Sequence, residues 1–330
     1  MPGIFDAFDD LGRFEAVLGT NGCCLLDSGY YTPGYISVLT AFLKSRNVQR
    51  ENFRCAHEDN ENYLSALGLS KVLWGLDDYQ YCRRNAGSRY ARLTHISSRD
   101  AVDVGTEQIN GCLRQMAAES SCNYSNSPAF QELLHVVGEL HDNVWSHGLD
   151  SGFSTAQRRS DRSGNGLIEF SLADTGMGFL AELRTSGISR FEDITTHQEA
   201  IEWCIQEGHS SKLADHEDEW GQSLPEDHVG RNPFGNHVRT RNVRNGNHHQ
   251  GLGLAKLLSL AHSYDGTLYL ASGDAVLCLE GGNQSFRYLS RPWKGVAMSL
   301  TLEEAKLAAA QAMDDAADSG IEDIINLLVN

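Results

Sequence analysis

Through residues 127 to 148, SPAFQELLHVVGELHDNVWSHG, apolar positions recur at about 100° per residue, and Leu133, Val137, Leu140 and Val144 share one narrow stripe. The pattern predicts a helix with that stripe against a core. Glu139, Asn143 and His147 follow one another at four-residue steps along the stripe's edge, where a polar group can face a pocket while its helix stays packed. Residues 166 to 174, GLIEFSLAD, predict a buried strand that ends on Asp174 and runs into Thr175-Gly176-Met177-Gly178. Farther on, Gln250-Gly251-Leu252-Gly253-Leu254 opens a helix through His262, and the free N–H groups of such a start suit a phosphate.

Ahead of the central helix the pattern alternates. Residues 22 to 27 predict a short strand, 35 to 46 a helix, 53 to 56 a strand and 60 to 69 a helix closing on Gly68, which together indicate a small α/β domain over residues 1–90. A second domain is expected from Arg92, with a strand to Ile96 and a helix over 100 to 118. The Ser-, Arg- and Gly-rich stretch 150 to 165 reads as a loop. So does most of 179 to 250, apart from a short helix over 199 to 207, and so long a loop inside a domain is usually functional or disordered. From Thr267 four strands are expected, TLYLASG, AVLCLE, SFRYLS and GVAMSLTL, as antiparallel neighbours. Helices on one face of a mixed sheet closed by these strands give a two-layer α/β sandwich. Residues 303–330 read as an acidic helical tail in which Ile321, Ile324, Ile325 and Leu328 form an apolar stripe.

Composition narrows the partners. The chain has 330 residues, 41% hydrophobic, enough for two cores. A net charge of −17, from 27 basic and 44 acidic side chains, argues against nucleic acid; Arg239, Arg241 and Arg244 are the notable basic run. With no long apolar stretch and an acidic start, MPGIFDAFDD, neither a membrane span nor a signal peptide is expected. The eight cysteines form no C-x-x-C pair, and a reducing cytoplasm fits them best. His135, His141 and His147 recur every six residues, which turns each about 240° from the last, so they do not share a metal ion. Neither a Walker loop nor a G-x-S-x-G elbow is present.

E-x-x-x-N-x-x-x-H-G from Glu139 to Gly148, D-x-G-x-G from Asp174 to Gly178 and G-x-G-L from Gly251 to Leu254 stand in one order. Over roughly residues 91 to 302 they make the chain resemble the GHKL ATPase superfamily of gyrase, heat-shock protein 90, mismatch-repair ATPases and histidine kinases. The form Glu139, Asn143, His147-Gly148 most resembles the anti-sigma-factor serine kinases. The resemblance implies a two-layer α/β sandwich of the GHKL type that binds ATP and Mg²⁺. Asp174 would accept the adenine amine, Asn143 would hold Mg²⁺, and His147 would lie near the phosphates. Gly176, Gly178, Gly251, Leu252 and Gly253 would surround the nucleotide, and Glu139 would act as general base. Segment 179–250 then corresponds to the lid, where Lys212, Arg231 and Asn247 are candidates for the γ-phosphate and Lys212 is counted in the site.

The resulting expectation is slow ATP hydrolysis or regulatory switching. The alternatives are a serine kinase acting on a partner's STAS domain, or a nucleotide-gated interaction module without turnover, with a protein partner or a second copy in each case. Residues 5 to 80 are similar, in the order of their elements, to STAS domains of anti-sigma-factor antagonists. That likeness implies a regulatory or docking domain. It places Pro33 where such domains carry an acceptor serine, with Thr32 and Ser28 as the nearby hydroxyls.

Overall fold

The computed structural model describes residues 1–20, 22–27, 29–148, 151–209 and 253–310, with the backbone alone at 147 and 148. Helix α1 (Ile4–Leu18) buries Ile4, Ala7, Leu11 and Phe14 at helical spacing. Strand β1 (Cys24–Leu26), helix α2 (Pro33–Ser45) and strand β2 (Phe53–Cys55) form a crossover unit in which Cys24 lies beside Phe53 in a parallel pair. Helices α3 (Glu58–Leu67) and α4 (Leu69–Trp74) follow. Helix α2 has no charged residue before Lys44, and each residue from Pro33 to Leu43 is buried, so it has cover on every side.

The rest of the chain builds a five-stranded sheet and its other layer. In order come β3 (Thr94–Ile96), α5 (Arg99–Ala118), α6 (Pro128–Asn143), a π-helical turn (Val144–Gly148), β4 (Gly152–Ser160) and β5 (Gly166–Asp174). Then follow α7 (Phe179–Thr185), α8 (Ile188–Phe191), α9 (His197–Cys204), α10 (Gly253–Ser263), β6 (Thr267–Glu280) and β7 (Asn283–Glu303). The strand order is β3-β4-β5-β7-β6, and all neighbours are antiparallel rather than mixed as expected.

The two faces of β5 show how the layers are divided. Ile168, Phe170 and Leu172 join Leu133, Val137 and Leu140 of α6 in one core, while Ala173 joins Tyr35, Leu39 and Phe42 in the other. Helix α2 packs against β4, β5 and β7, so the first ninety residues cover the second face of the sheet. Beside the expected layer of helices on one face, the sheet is therefore covered on its other face as well. The apolar residues that α2 carries around most of its circumference are the physical cause.

Polar contacts also join these layers. Glu169 of β5, 2% exposed, accepts from the Gly34 N–H (3.0 Å) at the start of α2 and from the Ser299 hydroxyl (2.9 Å), with Arg159 3.6 Å away. A buried carboxylate without such partners would cost several kcal/mol. The hydroxyls of Ser37 and Ser171 meet at 2.6 Å beside it.

Other expectations change in detail. The stretch read as a loop at 150 to 165 contains β4, whose polar side chains find partners: Thr155 donates to the Ala91 carbonyl (2.8 Å) and Arg158 to Glu304 (2.6 and 2.9 Å). Partnered polar residues erase the alternation that marks a half-buried strand. The four strands expected after Thr267 are two long ones, because the breaks around Gly273 are register shifts within a single ladder. Residues 179 to 204 of the expected lid carry α7, α8 and α9. The tail is helical from 304 to 310, and its apolar stripe at 321 to 328 lies outside the described residues, as does Ser28. No helix among the described residues is long and apolar enough to cross a membrane.

Candidate functional site

The central helix is started by Ser127, whose hydroxyl accepts the Phe130 N–H (3.2 Å), with Pro128 in the first turn. His141 fixes its rotation. The imidazole is fully buried, bonded through Nδ1 to Thr106 (2.9 Å) and through Nε2 to Ser154 (2.9 Å). Burial pushes its pKa down to about 3, so it packs as a neutral ring. With His141 inward, Glu139 and Asn143 fall at the helix edge, and the π turn that follows is a form found often at functional positions.

Asp174 ends β5 and is 7% exposed. Its Oδ1 accepts the N–H groups of Gly176 (2.8 Å) and Val296 (3.2 Å), which fixes the plane of the carboxylate. Strand β7 can pass this close only because residue 295 is glycine: its φ is +114°, and a Cβ there would lie 2.4 Å from the Asp174 carbonyl oxygen. Gly178 then starts α7, where Ser272 accepts the Phe179 N–H (3.1 Å).

Asn143, Asp174, Gly178 and Gly253 line one cleft that is open to solvent. Leu140 and Val144 of the apolar stripe, Leu172 of β5 and Met298 of β7 line it as well. Gly253 opens α10 against α6; a Cβ there would stand 2.9 Å from Glu139 Oε2 and 3.8 Å from the Asn143 amide nitrogen. Glu139, whose side chain is 17% exposed, lies 2.8 Å from His135 Nε2 and 3.9 Å from Lys256 Nζ. The cleft thus has a carboxylate at its sheet end and, at its α10 end, a helix start with an amide, a second carboxylate and a lysine nearby.

Of the residues singled out in the sequence, the structure brings Asn143, Asp174, Gly178 and Gly253 into the cleft, with Glu139 beside Gly253 and Gly176 bonded to Asp174. His147 lies in the π turn, its side chain outside the description. Gly251, Leu252 and Lys212 lie outside the described residues, together with Arg231, Asn247 and the basic run at 239 to 244. Sequence reasoning missed Glu182, Trp203 and His209 on the cleft wall and Gly295 behind Asp174. Trp203 falls within the helix expected over 199 to 207, but a lone tryptophan in a short helix carries no ligand signal. Among the described residues no group of three or more His, Cys, Asp or Glu side chains is arranged to hold a metal.

Comparisons with family models, curated proteins and solved structures give no match to this chain.

Proposed function

We propose that the chain binds a magnesium adenine nucleotide in this cleft, as a protein of the GHKL ATPase type, and turns it over slowly. The observation that carries the reading is the convergence of Asn143, Asp174, Gly178 and Gly253, from three separate sequence motifs, on one cleft. The carboxylate of Asp174 accepts a base amine and repels the carbonyl that guanine offers at the same position. The phosphates extend toward the start of α10, where backbone N–H groups and Lys256 favour negative charge. Asn143 would hold Mg²⁺ together with phosphate oxygens and water, and the ion would neutralise charge on the transferring phosphoryl group.

Glu139 takes the proton of the attacking nucleophile. His135 places Nε2 2.8 Å from its Oε1, and the proton held by Glu139 is released to water. Water is favoured as the nucleophile over the chain's own N-terminal hydroxyl, because Thr32 is 7% exposed and lies beside Glu169 on the opposite face of the sheet. The STAS-like reading of the first ninety residues becomes, on this view, that of a regulatory layer packed on the sheet. Incubation with γ-labelled ATP and Mg²⁺ tests the reading: labelled free phosphate from the wild type, and none from Glu139→Ala, is expected. Label transferred to a serine of an added STAS protein would favour the kinase alternative, and ATP binding with no release of label would favour the nucleotide-gated module.

A further inference from the structure

Helix α6, the sheet, α7 and the start of α10 supply the parts of the cleft that the nucleotide reading uses. The remaining wall is α9 with the turn after it, which contributes Trp203, Cys204 and His209. This wall is firmly placed. The Thr196 hydroxyl accepts the Glu199 N–H (3.2 Å), while the Glu199 carboxylate accepts the Thr195 and Thr196 N–H groups (2.8 and 2.9 Å). His197 rests on Gly273 of β6, where a Cβ would come within 2.1 Å of the imidazole. Ala200 and Ile201 are buried beneath the helix.

On that platform the rings of Trp203 and His209 stand 4.5 Å apart at 38°. His209 Nδ1 is 3.1 Å from the Trp203 carbonyl, and since a carbonyl only accepts, the proton sits on Nδ1. The imidazole is thereby held in one orientation against the indole. The two rings form an aromatic wall in a cleft that Leu172, Val296 and Met298 also line, with Phe179 as a further aromatic residue at the start of α7.

Building on the nucleotide reading, we infer that Trp203, backed by His209, is the stacking residue that holds the plane of the bound purine. A hydrogen bond from Asp174 fixes one edge of a base and leaves the ring free to pivot about it. A face contact removes that freedom, and every base has such a face. Asp174 therefore sets which base is chosen, and Trp203 sets how tightly any base is held.

The test uses the full chain, with Mg-ATP followed by calorimetry and by tryptophan fluorescence. Trp203→Leu, which keeps an apolar side chain but no π face, is expected to weaken Mg-ATP by roughly 10- to 100-fold. Trp203→Phe should stay within a few fold of the wild type. The emission lost in Trp203→Phe should be the part that Mg-ATP quenches in the wild type, a readout that stands even if the leucine variant folds poorly. Equal weakening by Leu and Phe, wild-type affinity in both, or emission of Trp203 indifferent to Mg-ATP would overturn the stacking role and leave the nucleotide site intact. A wild-type chain that does not bind Mg-ATP at all would overturn the site and the stacking role together.

Discussion

Replacing Asp174 by Asn separates reading a base from holding the fold. The amide oxygen can still accept the N–H groups of Gly176 and Val296, at 2.8 and 3.2 Å, so the loop into α7 keeps its geometry. Exchanging charge-assisted for neutral hydrogen bonds there costs about 1 kcal/mol. Toward the ligand the change is larger, because an NH₂ group replaces a carboxylate oxygen and meets the donating amine of adenine. Losing a hydrogen bond to a charged group costs about 1.5–3 kcal/mol, and leaving buried donors unpaired costs about 1–3 kcal/mol more. Together these correspond to a loss of roughly 10²- to 10⁴-fold in affinity. Calorimetric titration with Mg-ATP measures the affinity, and a thermal unfolding scan of the same samples monitors the fold. A variant that unfolds like the wild type and binds Mg-ATP within threefold of it would refute the assignment of Asp174 as the base reader.

Three further outcomes follow from the same geometry. Glu139→Ala should bind Mg-ATP within a few fold of the wild type and lose turnover; retained phosphate release in a single-turnover assay would remove Glu139 as the base. His141 titrates near 6.5 when unfolded and near 3 when folded, so the unfolded chain takes up the proton first and stability falls as pH drops through this window. The loss attributable to His141 between pH 7 and 5 is about 2 kcal/mol, measurable as a urea midpoint that depends on pH more steeply in the wild type than in His141→Gln. Glu169→Ala leaves Arg159 and the N–H of Gly34 without their buried carboxylate and should destabilise the fold by about 3–5 kcal/mol in urea unfolding; a loss below about 1 kcal/mol would deny it a part in joining the layers.

The parts of the fold that were legible in the sequence are those where one physical signal dominates. Strand β5 is an uninterrupted apolar run that stops at an aspartate and glycines, and its bounds agree with the expected 166 to 174. Helix α6 shows an unbroken stripe behind a serine cap, and the α2 segment was recognised as a helix. What α2 packs against has no local signature, although a helix without charged residues before Lys44 requires neighbours on most sides. Strand β4 was hidden because its polar residues find buried partners in other elements, such as Glu304 for Arg158, that no local pattern reveals. The same reason applies at the candidate site. Asn143, Asp174, Gly178 and Gly253 lie in recognisable motifs, whereas Trp203, His209 and Gly295 matter through contacts with residues distant in the chain.

The most direct measurement is calorimetric titration of the full-length wild-type chain with ATP and with GTP, each in the presence of Mg²⁺. One saturable site for ATP, with GTP binding at least tenfold more weakly, is the predicted result. Absence of binding heat for either nucleotide across a range of temperatures, or equal affinity for both, would contradict an adenine nucleotide site built around Asp174.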